Sequence, residues 1–394
     1  LREKLDGLST AFATTNPFHW IAEFYGIVQE HGGFDVIIGN PPYVEIETVK
    51  DYSVEDYQCK SSGNLYAVTM ERCASLAEPR AWKGFIVPVS SISTDGYLPL
   101  QNMLKTQALW YSSFDDRPSR LFDGLEHIRL TIHIIGSSAL KPRFYSSRYN
   151  KWSADERANL LPSIGLHPVK TALIPTSLPK LCNVLEDGIV SKVMASGKSL
   201  RVFISANNSL SVYYSRKIGY FTQVLDFITE VRDSNNQLRP PSEFKEIRFA
   251  SAAHAASALL CLNSNLFYWF CTVCSDCRHV NKREIEAFPV DLGSLINNAG
   301  ADRIISLADR LMTDIRTHSE MRTMRFSHDT LTVQCIIPKH SKPIIDEIDA
   351  VLARHYGLTD EELDFIINYD IKYRMGDELN EREVQIQNVE QQET

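Results

Sequence analysis

No apolar run in this 394-residue chain approaches the roughly 20 residues that a bilayer-spanning helix needs. The opening Leu1-Arg-Glu-Lys-Leu-Asp6 also lacks the charged prefix and apolar centre of a signal sequence. Both absences argue against a membrane partner and point to the cytoplasm. Cysteine is sparse as well: eight thiols, scattered from Cys59 to Cys335, suit reduced side chains better than a disulfide framework. Cys271, Cys274, Cys277 and His279 crowd together, but no second, separated Cys-x-x-Cys exists to complete the paired knuckles of a structural zinc site. Following the apolar Leu266-Phe-Tyr-Trp-Phe270, they read as the end of a packed helix, and no metal is expected.

Net positive charge is missing too, yet the formal −8 hides an uneven distribution. Residues 140–290 hold 19 Lys and Arg against 12 Asp and Glu, whereas residues 342–394 hold 5 against 14. A polyanion could therefore bind the middle of the chain if those basic residues share a face; solvated surface is the plainer alternative.

What the sequence does contain is an α/β pattern in its first 140 residues. Phe34–Gly39, Lys83–Val89 and Arg129–Ile135 are short apolar, partly β-branched runs of the kind expected for strands buried on both faces. Asn64–Ala77, free of Gly and Pro, is long enough for a crossover helix between the first two, giving a parallel β-α-β unit. The texture changes near 140–150, where Lys141–Tyr149 is basic and aromatic and Pro162, Pro168, Pro175 and Pro179 follow. The second module should hold strands near Ser209–Tyr214 and Glu246–Ala250 and one apolar helix from Ala252 through Phe270. Two helices, Ile344–Tyr356 and Asp360–Asn368, are expected after Pro343, the second opened by Thr359-Asp-Glu-Glu362, and the last dozen residues should be disordered. The expected domains are 1–140, 141–340 and a helical, acidic 341–394.

The most pointed feature is Gly39-Asn40-Pro41-Pro42-Tyr43, directly after the first strand. Two prolines remove two backbone donors and fix two φ angles, so the chain leaves the strand in a rigid turn. In a parallel sheet that turn sits at the carboxyl edge, where open α/β sheets bind ligands. The Asn40 side-chain oxygen and the Pro41 carbonyl are two fixed acceptors, suited to a planar NH₂ group, and Tyr43 offers a ring that can stack on the heterocycle carrying it. Two acceptors pulling on the hydrogens of a conjugated amine favour a pyramidal nitrogen with an available lone pair. A neutral Asn suffices, because the proton becomes acidic only after the nitrogen has gained a bond. The plain alternative is a strand-terminating loop with a capping Asn.

This motif resembles the catalytic segment of the adenine-specific (N6) DNA methyltransferases of restriction-modification systems. Features in the same order resemble that family too: Phe18-His-Trp20 and Glu23-Phe24, Asn64-Leu65-Tyr66, Gly84-Phe-Ile-Val-Pro88, Ser119-Arg-Leu-Phe122-Asp-Gly124 and Ile128–Ile132. Leu262–Phe267, Phe288-Pro289 and Tyr356–Glu362 are similar to the recognition domain and tail of the large fused type II (IIG-like) enzymes. The resemblance implies the carboxyl-terminal part of a Rossmann-like, S-adenosylmethionine-dependent methyltransferase sheet, then an α+β target-recognition domain. It implies that Asn40 and the Pro41 carbonyl hold the adenine amine and Pro42 locks the turn. It further implies that Tyr43 stacks on the base, that Asn40 and Leu65 border the cofactor, and that the partner is double-stranded DNA with the adenine flipped out. Phe122 is a second stacking candidate, with ordinary core packing as its alternative.

One departure matters. The 33 residues before Phe34 contain only Gly7, Gly26, Gly32 and Gly33, in no G-x-G arrangement after a strand, and are too short for three β-α units. The cofactor loop is therefore expected on an upstream segment or subunit. DNA-contact candidates in the second module are Tyr213, Tyr214, Arg216, Lys217, Asn281, Lys282 and Arg283, by their donors and rings. Asp233 with Glu243-Phe-Lys245 faintly matches a magnesium nuclease and reads instead as a strand edge. The rival to an enzyme is a non-catalytic DNA-specificity module that retains the old loop.

Overall fold

A computed structural model describes residues 20–49, 53–137, 140–170, 172–241, 243–325 and 329–376. Phe18 and His19, and the Gln- and Glu-rich end expected to be disordered, lie outside the described residues. The chain forms two compact units, each gathered from separate segments. The first comprises Leu1–Val87, Gly96–Tyr111 and Ile132–Phe144; the second comprises Pro88–Asp95, Ser112–Thr131 and Tyr145–Thr394.

In the first unit, β1 (Phe34–Gly39), α1 (Leu65–Leu76) and β2 (Ala77–Pro88) make the expected β-α-β, with β1 and β2 parallel and Gly39 opposite Phe85. Asn64 caps α1, its side chain accepting from the Tyr66 N–H at 3.4 Å. The strand starts earlier than the apolar pattern suggested, directly at the end of α1. Pro79 cannot donate to a helix and biases Glu78 out of the helical region, so the chain extends at once. Gly33 makes the entry to β1 possible: its φ is +143°, and a Cβ there would lie 2.6 Å from the Leu76 carbonyl oxygen. With β3 (Ala108–Phe114) and β4 (Leu130–Ile135), the sheet runs β1-β2-β4-β3 from its β1 end, and the strands Arg143–Asn150 and His167–Val169 continue it to six. Among the described residues no strand pairs with the outer edge of β1, and Val36 and Ile38 are 59% and 82% exposed.

The second unit holds two three-stranded sheets. One orders β8 (Phe244–Phe249), β5 (Leu210–Ser215) and β6 (Val224–Leu225); the other orders β9 (Glu320–Arg325), β10 (Thr330–Cys335) and β7 (Val231–Arg232), all antiparallel. The apolar helix expected over 252–270 is two, α2 (Ala252–Asn263) and α3 (Asn265–Cys274), bent by 63°. Ser264 causes the break: its hydroxyl accepts from the Phe267 N–H at 3.0 Å, starting a new helix rather than continuing the old one. No single helix among the described residues is long and apolar enough to cross a membrane, and this bent pair, which passes by length and composition, has its apolar residues packed in the core. Lys282–Ala287 (α4) follows, then α5 (Lys342–Tyr356), α6 (Asp360–Ile367) and α7 (Ile371–Met375). Ile345, Ile348 and Leu352 of α5 and Ile366 of α6 pack into the same core as α2 and α3, so these helices contribute a buried face to this unit.

Candidate active site

The sequence Asn40-Pro41-Pro42-Tyr43 leaves the carboxyl end of β1 without helix or strand geometry, as two prolines require. Pro41 is buried, while Asn40 and Pro42 are exposed and Tyr43 is half-buried. The loop is held at both ends. Beyond Tyr43, the Val44 carbonyl accepts from the Leu65 N–H at 2.9 Å, and the Ile46 N–H donates to the Gly63 carbonyl at 2.9 Å. The start of α1 thus clamps the loop's exit, and the Asn64-Leu65-Tyr66 triplet earns its place through backbone bonds and the cap.

Tyr43 fixes the middle. Its hydroxyl lies 2.6 Å from Asn40 Oδ1 and 2.9 Å from the Ile86 carbonyl oxygen of β2. Its ring meets Tyr66 edge-on at 6.2 Å, and Tyr66, fully buried, stacks on Tyr97 at 5.2 Å. Burial pushes the Tyr43 phenol up to about 12, so it remains a protonated donor at neutral pH. The loop therefore presents one exposed carboxamide on a support that cannot easily shift.

An apolar groove of about 490 Å³ lies beside β1 and α1, lined by Trp20, Phe34, Ile38, Tyr57 and Leu65 among others. Leu65, expected beside a cofactor, is buried in its wall. Among the described residues no carboxylate lines the groove; its walls are mostly apolar, with the Ser53, Tyr57 and Thr69 hydroxyls and Arg72 as their polar groups, so the described lining suits a flat apolar ring. The described residues do not by themselves fit the whole of S-adenosylmethionine.

The remaining sequence-selected residues fall in the second unit, and several are structural. Phe122 is half-buried in the loop between β3 and β4, a loop also tied by Arg157 donating to the Arg120 and Leu121 carbonyls. Tyr214 is 5% exposed and packed in the core, which leaves no ring face for a base; Tyr213, on the opposite face of β5, is half-exposed. Asn281 caps α4 in a reciprocal capping box with Glu284. Arg283 is held by Asp95 at 2.6 Å, Glu284 at 2.6 Å and the Ser93 carbonyl. Arg216, Lys217 and Lys282 are exposed, with Lys217 paired to Glu243 and Lys282 3.3 Å from Glu286. Asp233 accepts from the Asn235 and Gln237 N–H groups and organises a turn, and with Glu243 occupied by Lys217 these acids do not form a nuclease-like set. Cys271 and Cys274 are fully buried in α3, where burial drives both thiols upward, and no group of three or more potential metal ligands occurs among the described residues.

What the sequence reading missed is the support beneath Asn40: the Ile86 carbonyl, which carries no sequence signal, and the Tyr66–Tyr97 stack, of which only Tyr66 stood in a recognised triplet.

Comparison with known proteins bears on the same loop. Residues 3–116 match the family model described as Eco57I restriction-modification methylase. A putative type II restriction enzyme and methyltransferase of Methanocaldococcus jannaschii, RM.MjaORFECS2P, is 31% identical over 108 residues, 26% of this chain and 9% of that protein. The chain thus spans a small part of the length of the curated relative it matches. Among solved structures, the type IIL restriction-modification enzyme MmeI in complex with DNA aligns with a TM-score of 0.42 at 11% identity, covering 86% of this chain and 57% of that one. The DrdV–DNA complex gives 0.37 at 9% identity, covering 88% and 58%. The segment 3–116, with Asn40–Tyr43 within it, is the part of the chain that is similar to the Eco57I restriction-modification methylases.

Proposed function

We propose that this chain carries the catalytic loop and the DNA-recognition part of a restriction-modification methyltransferase that methylates the N6 amine of adenine. The observation that carries the reading is the exposed Asn40 carboxamide, fixed on a rigid Pro-Pro turn at the carboxyl end of a parallel strand. In this reading Asn40 Oδ1 and the Pro41 carbonyl accept the two amine hydrogens, Pro42 locks the turn, and Tyr43 packs against a base swung out of the duplex. S-adenosylmethionine would supply an electrophilic methyl group on a positively charged sulfur. The acceptors orient the amine's lone pair, and its proton leaves to water once nitrogen has become tetravalent and acidic.

The lining of the groove beside β1 supports a further element. The outer edge of β1 is unpaired among the described residues, so another strand can pair there, and an upstream segment or subunit seated on it would bring the acidic and glycine-rich parts that the described lining of the groove does not supply. On the DNA side, Arg216, Lys217 and Lys282 are the exposed members of the proposed recognition face, and Tyr213 is half-exposed.

The test is methyl transfer to unmethylated DNA from labelled S-adenosylmethionine, followed by digestion to nucleosides. It uses this chain alone, this chain with its upstream segment, and the latter carrying Asn40→Ala. Label in N6-methyladenine only with the upstream segment, reduced at least a hundredfold by Asn40→Ala while DNA binding persists, supports the enzyme. Label unaffected by Asn40→Ala, or DNA binding with no label in any sample, makes the non-catalytic specificity module the better account.

A further inference from the structure

The Tyr43 hydroxyl has one proton and two oxygen neighbours, Asn40 Oδ1 at 2.6 Å and the Ile86 carbonyl at 2.9 Å. A ring needed only for stacking has no use for either bond. We propose that Tyr43 is a positioning residue: its hydroxyl sets the direction of the Asn40 carboxamide, so that one lone pair of Oδ1 is taken from beneath and the other faces the incoming amine. This deepens the methyltransferase reading and rests on it for its catalytic consequence.

The hydrogen-bond geometry makes the argument. An exposed carboxamide is free to turn about its last side-chain bond and can present either its NH₂ or its oxygen to a substrate. An amine substrate needs the oxygen; an NH₂ facing it would set donor against donor. A donor fixed below the loop selects the oxygen-down arrangement for one lone pair and leaves the second in the carboxamide plane, directed away from the hydroxyl. The hydroxyl is itself fixed, because the ring is braced by Tyr66 and the oxygen is anchored near the β2 carbonyl of Ile86. When an amine draws on Oδ1, the Ile86 carbonyl offers the hydroxyl a second acceptor, so the half-buried donor is not left unpaired. The support therefore runs from β2 and α1 through Tyr43 to Asn40, without a charged residue anywhere in it.

The test is Tyr43→Phe in the intact protein that carries this chain, with two readouts. The first needs no activity: with ¹³C at the asparagine side-chain carbonyls, the infrared difference between wild type and Tyr43→Phe should contain one carbonyl band moved to higher frequency. That feature should vanish when both proteins also carry Asn40→Asp. The second is methylation kinetics, where kcat should fall roughly ten- to a hundredfold with KM for DNA little changed, because the stacking ring is retained and only alignment is lost. Thermal melting within a few degrees of wild type excludes a folding defect. An absent carbonyl shift overturns the positioning role whatever the kinetics show, and so does an unchanged kcat in an active enzyme. A carbonyl shift in a protein that methylates no DNA retains the hydrogen bond and instead overturns the methyltransferase reading.

Discussion

Asn40 and Asp370 are both polar side chains with bonded partners, and the molecule uses them in opposite ways. Asn40 stands exposed on a turn in the first unit, supported from below by a phenol. Asp370 has none of its side chain exposed in the second unit, and ties Arg148 at 2.7 Å and Lys151 at 2.8 Å, while Lys151 also bonds the Tyr268 hydroxyl at 2.6 Å. The surroundings repeat the pattern: Arg374 lies over the Phe221 and Tyr268 rings and donates to the Tyr220 carbonyl, and Lys180, fully buried, donates to the Ser275 carbonyl. A buried charge must be paired and hydrogen-bonded to persist, so in the second unit charge marks architecture. In the first unit, the exposed polar group with a prepared support is the functional candidate.

The contrast can be broken most forcefully at Asp370. Asp370→Asn suits the left-handed backbone there, φ +56°, but leaves Lys151 buried beside a neutral partner. Urea unfolding should show a loss of about 3–5 kcal/mol. A loss under about 1 kcal/mol would mean that water reaches Lys151 and that the pair is no part of the framework.

Acid–base behaviour sharpens the comparison at an intermediate scale. Burial pushes the Asp115 carboxyl up to about 6, against the opposing pull of Arg129 and Lys151. A carboxyl raised on folding favours the protonated native state. Its stabilising contribution is therefore complete below about pH 4, the unfolded value, and is lost as pH rises through about 6. The difference in unfolding free energy between wild type and Asp115→Asn should change by up to about 3 kcal/mol across that window, with wild type losing ground as pH increases. A flat difference would show that Arg129 and Lys151 fully offset the burial.

The smallest effect separates two neighbouring cations. Lys282, with its side chain 67% exposed, should answer charge reversal by lowering the salt slope of DNA binding by about one, with stability unchanged. Arg283→Glu should lower the melting temperature instead, since its guanidinium is committed to Asp95, Glu284 and Ser93. Equal slopes for Lys282→Glu and wild type would remove Lys282 from the proposed recognition face.

The pair Tyr213 and Tyr214 shows where sequence reading ran short. Adjacent residues of a strand point to opposite faces, so the two tyrosines could never serve one surface, and only the burial of β5 decided which ring stayed outside. Arg283 and Asn281 misled for a related reason: a guanidinium or a carboxamide has the same composition whether it meets a phosphate or a neighbouring carboxylate and helix end. Ser264 was legible in principle, as a cap inside an apolar run, but the apolar continuity on either side outweighed it.

By itself the sequence determined the local rules: a strand that stops at Gly39, a turn that two prolines make rigid, a helix capped at Asn64 and the alternation that buries a strand face, because each follows from dihedral limits and backbone donors within a few residues. The tertiary structure decided everything that depends on which distant groups meet. It brought the Ile86 carbonyl beneath Tyr43 and so gave Asn40 its support, and it placed Asp370 against Lys151, 219 residues away in sequence. Hydrogen bonds and ion pairs are short-ranged in space and blind to separation along the chain, which is why no local pattern could announce them.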